Sequence, residues 1–221
     1  IENETILAKE PANMNNISHQ ISEISQDEIF ELIDNFYKDM DLPTNDGFNN
    51  YLVSYLAKKN NSKIIISGVG GDELFFGYPS FNKIPKINRT LKYLPKFNFL
   101  NSFFKNTLYS FLKKKKLKTK YSGMIEYGRD VNSAFLLIRS LFLPYEIKEI
   151  IDEKTFNSGY EELNIMNSLA KDIQDIKDTR LAIMYLEIKY YLCSKILRDS
   201  DWVSMSHSVE LRTPFVDWFF F

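Results

Sequence analysis

A strand-like segment with an isoleucine triplet, Lys63-Ile64-Ile65-Ile66-Ser67, leads directly into Gly68-Val69-Gly70-Gly71-Asp72-Glu73, and no other stretch restricts the possible folds as strongly. Its continuous β-branched character suits a buried parallel strand. The glycines that follow let the backbone leave that strand through positive φ without steric cost. Two readings of the corner are open. In one, the glycines turn backbone N–H groups toward an anion, and the two carboxylates suit a phosphate carried with Mg²⁺, which takes one or two carboxylates plus phosphate oxygens. In the other, the corner is a strand-to-helix turn, with Asp72 capping a helix that starts Glu73-Leu74-Phe75-Phe76. It is neither a Walker loop, since no Lys-Ser/Thr closes the run, nor a dinucleotide fingerprint, whose glycine spacing differs.

The surrounding pattern predicts an α/β start and a helical remainder. Ile17 to Ile24 reads as a strand. Ser25 with Asp27 and Glu28 opens a helix carrying Ile29, Leu32, Ile33 and Phe36 to Asp39, and Pro43, Asp46 and Gly47 interrupt it. A second helix, Phe48 to Lys59, leads to the 63–67 strand, giving the strand, helix, helix, strand order of a doubly wound sheet. Beyond Gly77-Tyr78-Pro79 the periodicity is helical: a basic hairpin, then Ser133 to Phe142, Pro144 to Asp152, Glu161 to Asp172, and a long Lys177 to Leu197. The expected divisions are an α/β part over 1–79, a basic helical insertion over 80–128, and a helical part over 129–221.

The net charge of −1 hides an asymmetry, because the interval from Ser80 to Lys120 has no acidic residue while the Lys113-Lys114-Lys115-Lys116 run and eight further cations fall within it. Interleaved Tyr93, Phe97, Phe99, Phe103, Phe104, Tyr109 and Phe111 would suit base stacking on a nucleic acid. They equally suit an amphipathic hairpin whose aromatics face inward while the lysines stay solvated, and this second reading is the one adopted. One cysteine, Cys193, excludes a disulfide framework and a cysteine-rich zinc module, and its place in the apolar run Leu181 to Leu197 predicts a small buried side chain. With only His19 and His207 besides, a metal would be held by oxygen. No apolar run approaches a membrane span, so the expected location is the cytoplasm.

Three segments resemble one family. Ser67-Gly68-Val69-Gly70-Gly71-Asp72-Glu73-Leu74-Phe75-Phe76-Gly77-Tyr78 resembles the SGxGxDELFGGY segment in the synthetase domain of glutamine-dependent asparagine synthetases. Leu197-Arg198-Asp199-Ser200-Asp201, continuing through Ser204-Met205-Ser206-His207-Ser208-Val209-Glu210-Leu211-Arg212-Thr213-Pro214-Phe215-Val216-Asp217, is similar to that family's LRD…SMAHSLEVRVPFLD block. Met40 to Asn49 is similar to an MDQP-x-x-DG-x-N stretch of one branch. The resemblance implies an adenine nucleotide alpha-hydrolase-like fold, with a partial doubly wound parallel sheet followed by a mostly helical region. Family members of this type open with a glutaminase domain led by Cys and with an SGGxDS pyrophosphate loop. Neither pattern occurs from Ile1 onward, so the expected object is a fragment of the synthetase domain, inactive alone.

The chemistry implied by this resemblance is ATP-dependent adenylation of a carboxylate, aspartate or a related acid, followed by attack of glutamine-derived ammonia. Ligands of open α/β sheets lie beyond the carboxyl ends of the strands, where the glycine corner would be. Carried over residue by residue, Ser67, Gly68, Val69, Gly70 and Gly71 contact the nucleotide, Asp72 binds Mg²⁺, and Arg198, Glu210 and Arg212 supply the catalytic polar lining. The alternative for that lining is a structural ion-pair network of Arg198, Asp199, Asp201, Glu210 and Arg212. Val69 stands where many asparagine synthetases have Glu, which leaves the acceptor acid open. Expected partners are the small substrates and, in the intact protein, a glutaminase domain; a homodimer is compatible, nucleic acid and membrane are not expected. Ser206-His207-Ser208 lacks the pattern of a hydrolytic nucleophile. Two other readings compete: an RNA-modifying enzyme on the same fold, motivated by the lysines, and a non-catalytic remnant.

Overall fold

A computed structural model describes residues 4–93 and 98–220 of the chain. In chain order its elements are α1 (Glu4–Met14), α2 (Gln26–Asp39), α3 (Gly47–Lys59), β1 (Ile64–Ile66), α4 (Gly71–Leu74), α5 (Ser80–Leu91), α6 (Asn98–Lys114), α7 (Met124–Tyr127), α8 (Val131–Arg139), α9 (Pro144–Ile147), α10 (Glu153–Leu163), α11 (Ile165–Ile173) and α12 (Thr179–Leu186). A π-helix (Glu187–Leu197), α13 (Arg198–Ser206) and β2 (Glu210–Arg212) follow, and short 3-10 helices lie at Thr119–Gly123, between α6 and α7, and near the end. The described residues are mostly helical, with one two-stranded parallel sheet pairing Ile64 with Glu210 and Ile66 with Arg212. The chain divides into two compact units, Ile1–Ser67 with Arg198–Arg212, and Gly68–Leu197 with Thr213–Phe221.

In the first unit, α2 forms as its sequence dictates: Ser25 accepts a bond from the Glu28 amide at 3.2 Å, and the 3.6-residue repeat buries Leu32 and Phe36. These close a core with Tyr51 of α3 and Val203 of α13, against which Trp202, Phe48 and Ile24 pack. Edge-on aromatic contacts at 5.2–5.7 Å join Phe36 to Phe48, Tyr51 and its neighbour Tyr37. The region expected as a strand over Ile17 to Ile24 is irregular, and the segment containing Ile6 is the helix α1. Nor is β1 buried on both faces: Ile64 is 46% and Ile66 75% exposed, because β2 is its single neighbour among the described residues.

The second unit is built on α5, α8, α11 and α12, whose Phe81, Ile84, Ala134, Phe135, Leu169, Ile183 and Leu186 form the core. A satellite cluster of Tyr127, Leu137 and Leu143 sits beside Met124 and Tyr145. Asp178 caps α12 by accepting from the Arg180 and Leu181 amides. Cys193 is exposed, contrary to expectation. Cys193 lies within the π-helix Glu187–Leu197, whose wider turn departs from the 3.6-residue repeat on which that expectation rests.

The basic interval is helical, as anticipated, in α5 and α6. Part of its charge is met internally, since Lys105 pairs with Glu126 at 2.9 Å and Lys113 approaches Glu149 at 3.5 Å. Its aromatics are not uniformly inward: Tyr93 and Phe111 are exposed, while Tyr109 donates to Glu149 and its hydroxyl is pushed up to about 12, by burial first and that carboxylate second. Phe97, and the side chains of Phe99, Phe103 and Phe104, fall outside what the structure describes.

Candidate functional site

The glycine corner of the second unit is shaped by two positions where a side chain would not fit. Gly70 has φ +95, and a Cβ there would stand 2.9 Å from Val216 Cγ2 and 3.2 Å from Phe215 Cβ. At Gly77 a Cβ would fall 2.0 Å from Asp72 Oδ1, so the Asp72 carboxyl occupies the space a side chain would take. Gly70, not Asp72, precedes the first turn of α4; Asp72 lies within that turn and is exposed. The Gly71 amide donates to the Gly68 carbonyl at 3.0 Å, and the Gly77 amide to the Asp72 carbonyl at 2.8 Å. The corner therefore engages part of its own backbone while presenting one carboxylate to solvent.

Glu73, the second acid of the corner, turns the other way and is fully buried. Its Oε1 accepts the Tyr78 hydroxyl at 2.9 Å, and its Oε2 has no hydrogen-bond partner. Burial pushes this carboxyl above the usual carboxylate range and the Asp72 and Glu187 charges add to the effect, whereas bonds from its own amide and from Tyr78 oppose it. Burial, then Glu73, also raises the Tyr78 hydroxyl. Beyond Tyr78 lies Arg139, its guanidinium 4.1 Å from the Tyr78 ring centroid and 4.0 Å from that of Tyr191. Arg139 binds the fully buried Glu187 with Nε at 2.9 Å and Nη2 at 2.7 Å, and the Ser80 hydroxyl donates to the same carboxylate. Sequence reasoning missed this network; Glu73 and Tyr78 lie in a recognisable segment, but nothing local marks Arg139 or Glu187.

In the first unit the sequence-assigned residues fall into two ion pairs. Arg198 donates from Nε at 3.1 Å and Nη2 at 2.6 Å to Asp199 Oδ1, while the buried Asp199 accepts the Thr44 hydroxyl at 2.5 Å. Thr44 in turn accepts from the Asp46 and Gly47 amides, and Asn50 donates to Ser200 at 3.2 Å. The Met40 to Asn49 segment is thus tied to the start of α13, a link that sequence alone did not supply. Glu210 and Arg212 share one face of β2, as their spacing predicts, and pair at 2.9 Å with both side chains more than half exposed. Ser67 joins them through its amide, which donates to the Arg212 carbonyl at 2.8 Å. No hydrogen bond or ion pair links the Arg198 pair to the Arg212 pair among the described residues. Ser206 Oγ lies 3.0 Å from His207 Nδ1 but donates to the Val203 carbonyl at 2.8 Å, so its proton is held by the helix backbone and no hydrolytic nucleophile is assembled.

No cluster of three or more His, Cys, Asp or Glu side chains among the described residues is arranged to hold a metal. A single exposed carboxylate such as Asp72 still fits Mg²⁺ brought in on a phosphate, since that ion keeps several waters and needs only one or two protein carboxylates.

The geometry of the corner does not by itself name a ligand, and comparison with known proteins supplies the lineage of the chain. The family model for asparagine synthase matches residues 2–221, and the chain belongs to that family. No curated protein and no solved structure matched the chain. No helix among the described residues is long and apolar enough to cross a membrane.

Proposed function

We propose that the chain is part of the synthetase domain of an ATP-dependent amide-forming ligase. The observation that carries this reading is the family match over residues 2–221, and it includes the corner that displays Asp72 beside Gly68 to Gly71. A carboxylate is a poor acyl donor because oxide is a poor leaving group. Attack of a carboxylate oxygen on the α-phosphorus of ATP releases pyrophosphate and leaves an acyl-adenylate. Ammonia then attacks the acyl carbon, AMP departs, and the nitrogen loses a proton to give the amide. In this reading Ser67 and Gly68 to Gly71 face the nucleotide, and Asp72 holds Mg²⁺ on its phosphates, where charge stabilisation lowers the barrier.

Arg198, Glu210 and Arg212 belong to the polar lining in the same proposal. The buried Asp199 fixes the Arg198 fork for that role, whereas Arg212 meets Glu210 at the surface and stays accessible to an anion. The acceptor is aspartate or a related acid, with Val69 leaving its identity open, and the ammonia comes from glutamine. The two parallel strands are proposed to belong to a wider doubly wound sheet. The divisions at 79 and 128, a homodimer and a cytoplasmic location remain parts of the proposal.

The test is product analysis with the natural full-length protein, α-labelled ATP, glutamine and a panel of carboxylic acids. AMP and pyrophosphate formed in step with one acid are expected. ADP and phosphate as products would exclude adenylation.

A further inference from the structure

The segment that returns the chain from Asp72 to Tyr78 is strained and doubly latched. Phe76 has φ +59, which a bulky aromatic residue adopts only when its surroundings enforce it, and its ring is held 4.9 Å from Phe81 of the core. One latch is the Gly77 amide on the Asp72 carbonyl. The other is the Tyr78 hydroxyl on the buried Glu73, the residue next to Asp72. Tyr78 is itself clamped by the Arg139 guanidinium, which the buried Glu187 and the Tyr191 ring hold on its other sides. Arg139 touches neither Asp72 nor the glycines in any described hydrogen bond or ion pair, so its influence on the corner passes through Tyr78.

We propose that Tyr78 and Arg139 are positioning residues for Asp72: the Tyr78 hydroxyl bound to Glu73, with its ring held in place by the stacked guanidinium, keeps the strained 72–78 turn closed and thereby fixes where the Asp72 carboxylate is displayed. This rests on the reading of Asp72 as a metal ligand. Tyr78→Phe is the discriminating change, because it keeps the ring under Arg139 and removes only the bond to Glu73. Arg139→Lys retains the charge but loses the planar fork that binds Glu187 and stacks on the two tyrosines.

The test is Mn²⁺ binding to the natural full-length protein with α,β-methylene-ATP, followed by electron paramagnetic resonance, beside circular dichroism and the thermal unfolding midpoint. Asp72→Asn is the reference. Tyr78→Phe is expected to weaken Mn²⁺ binding by about tenfold, the scale of outer-layer changes at metal sites, with a native spectrum and a lowered unfolding midpoint, because the buried Glu73 loses its side-chain partner. Arg139→Lys is expected to move it in the same direction, and replaces Tyr78→Phe as the readout should that variant fail to fold. If Asp72→Asn loses Mn²⁺ while the folded Tyr78 and Arg139 variants keep the parent affinity, the positioning role is overturned and the ligand assignment stands. If Asp72→Asn itself binds Mn²⁺ as the parent does, the ligand assignment falls and this inference with it.

Discussion

A methyl group at position 77 has nowhere to go but into the Asp72 carboxylate. Gly77→Ala should therefore displace that side chain and weaken Mn²⁺ binding in a nucleotide-dependent titration, with less effect on the distant core of α5 and α12. Gly70→Ala is a different experiment, because it imposes φ +95 on a residue with a Cβ and presses it on Val216; a loss of about 1–3 kcal/mol in denaturant unfolding is expected. His207 tests electrostatics at the same scale. It is buried, stacked edge-on to Tyr51 at 4.3 Å, and its pKa lies below the ordinary value, chiefly because burial disfavours the cation and also because of the Lys58 charge; the Val203 carbonyl and Asp39 oppose that shift. The folded state thus binds the proton less readily than the unfolded chain. Its stabilising contribution is complete above the unfolded value of about 6.5 and is lost as pH falls through the lowered folded one. Unfolding midpoints measured between pH 7.5 and 5 should fall with pH, and His207→Gln should flatten that slope.

Among the elements, the network around Arg139 carries the largest expected penalty for a single change. Arg139→Met leaves Glu187 buried without its cation, and breaking such a pair costs about 3–5 kcal/mol, measurable by urea unfolding. The exposed sheet edge suggests the opposite kind of change. Ile66 is open to water on a strand with one neighbour among the described residues, so in the 221-residue chain Ile66→Lys should reduce aggregation, read by light scattering, while leaving the unfolding midpoint nearly unchanged. What could be read from sequence at this scale was whatever depends on neighbours close along the chain. The Ser25 cap, the 3.6-residue repeat of α2, the break at Pro43, the α3 helix and the glycine corner all have local causes, and each is found where the pattern puts it. Cys193 was misplaced because a π-helix changes the repeat without announcing itself in composition. The burial of β1 was overestimated since it depends on how many strands lie alongside, which an Ile-Ile-Ile run does not state. In the site, the Glu210–Arg212 pair follows from strand alternation, but Thr44 with Asp199 and Arg139 with Glu187 join residues far apart in sequence, and the orientations of Asp72 and Glu73 follow from what each packs against.

At the level of the whole molecule, neither compact unit is one continuous stretch. The first needs Arg198–Arg212 to complete both its sheet and the core around Tyr51, so about 130 residues must be looped out before those contacts form. Because closure entropy grows only logarithmically with length, this loop is tolerable, but residues 1–67 alone lack β2 and α13. That fragment should be largely unstructured by circular dichroism, and a 198–212 peptide added in trans should raise its helicity. The chain's two tryptophans offer a spectroscopic consequence. Trp202 lies beside Phe36 in the first unit, with ring centroids 5.5 Å apart, whereas Trp218 in the second unit is 82% exposed. An indole already bathed in water changes its emission colour little upon denaturation, so the red shift of intrinsic fluorescence is a private signal of the unit that contains α2 and α3, isolated further by replacing Trp218 with Phe.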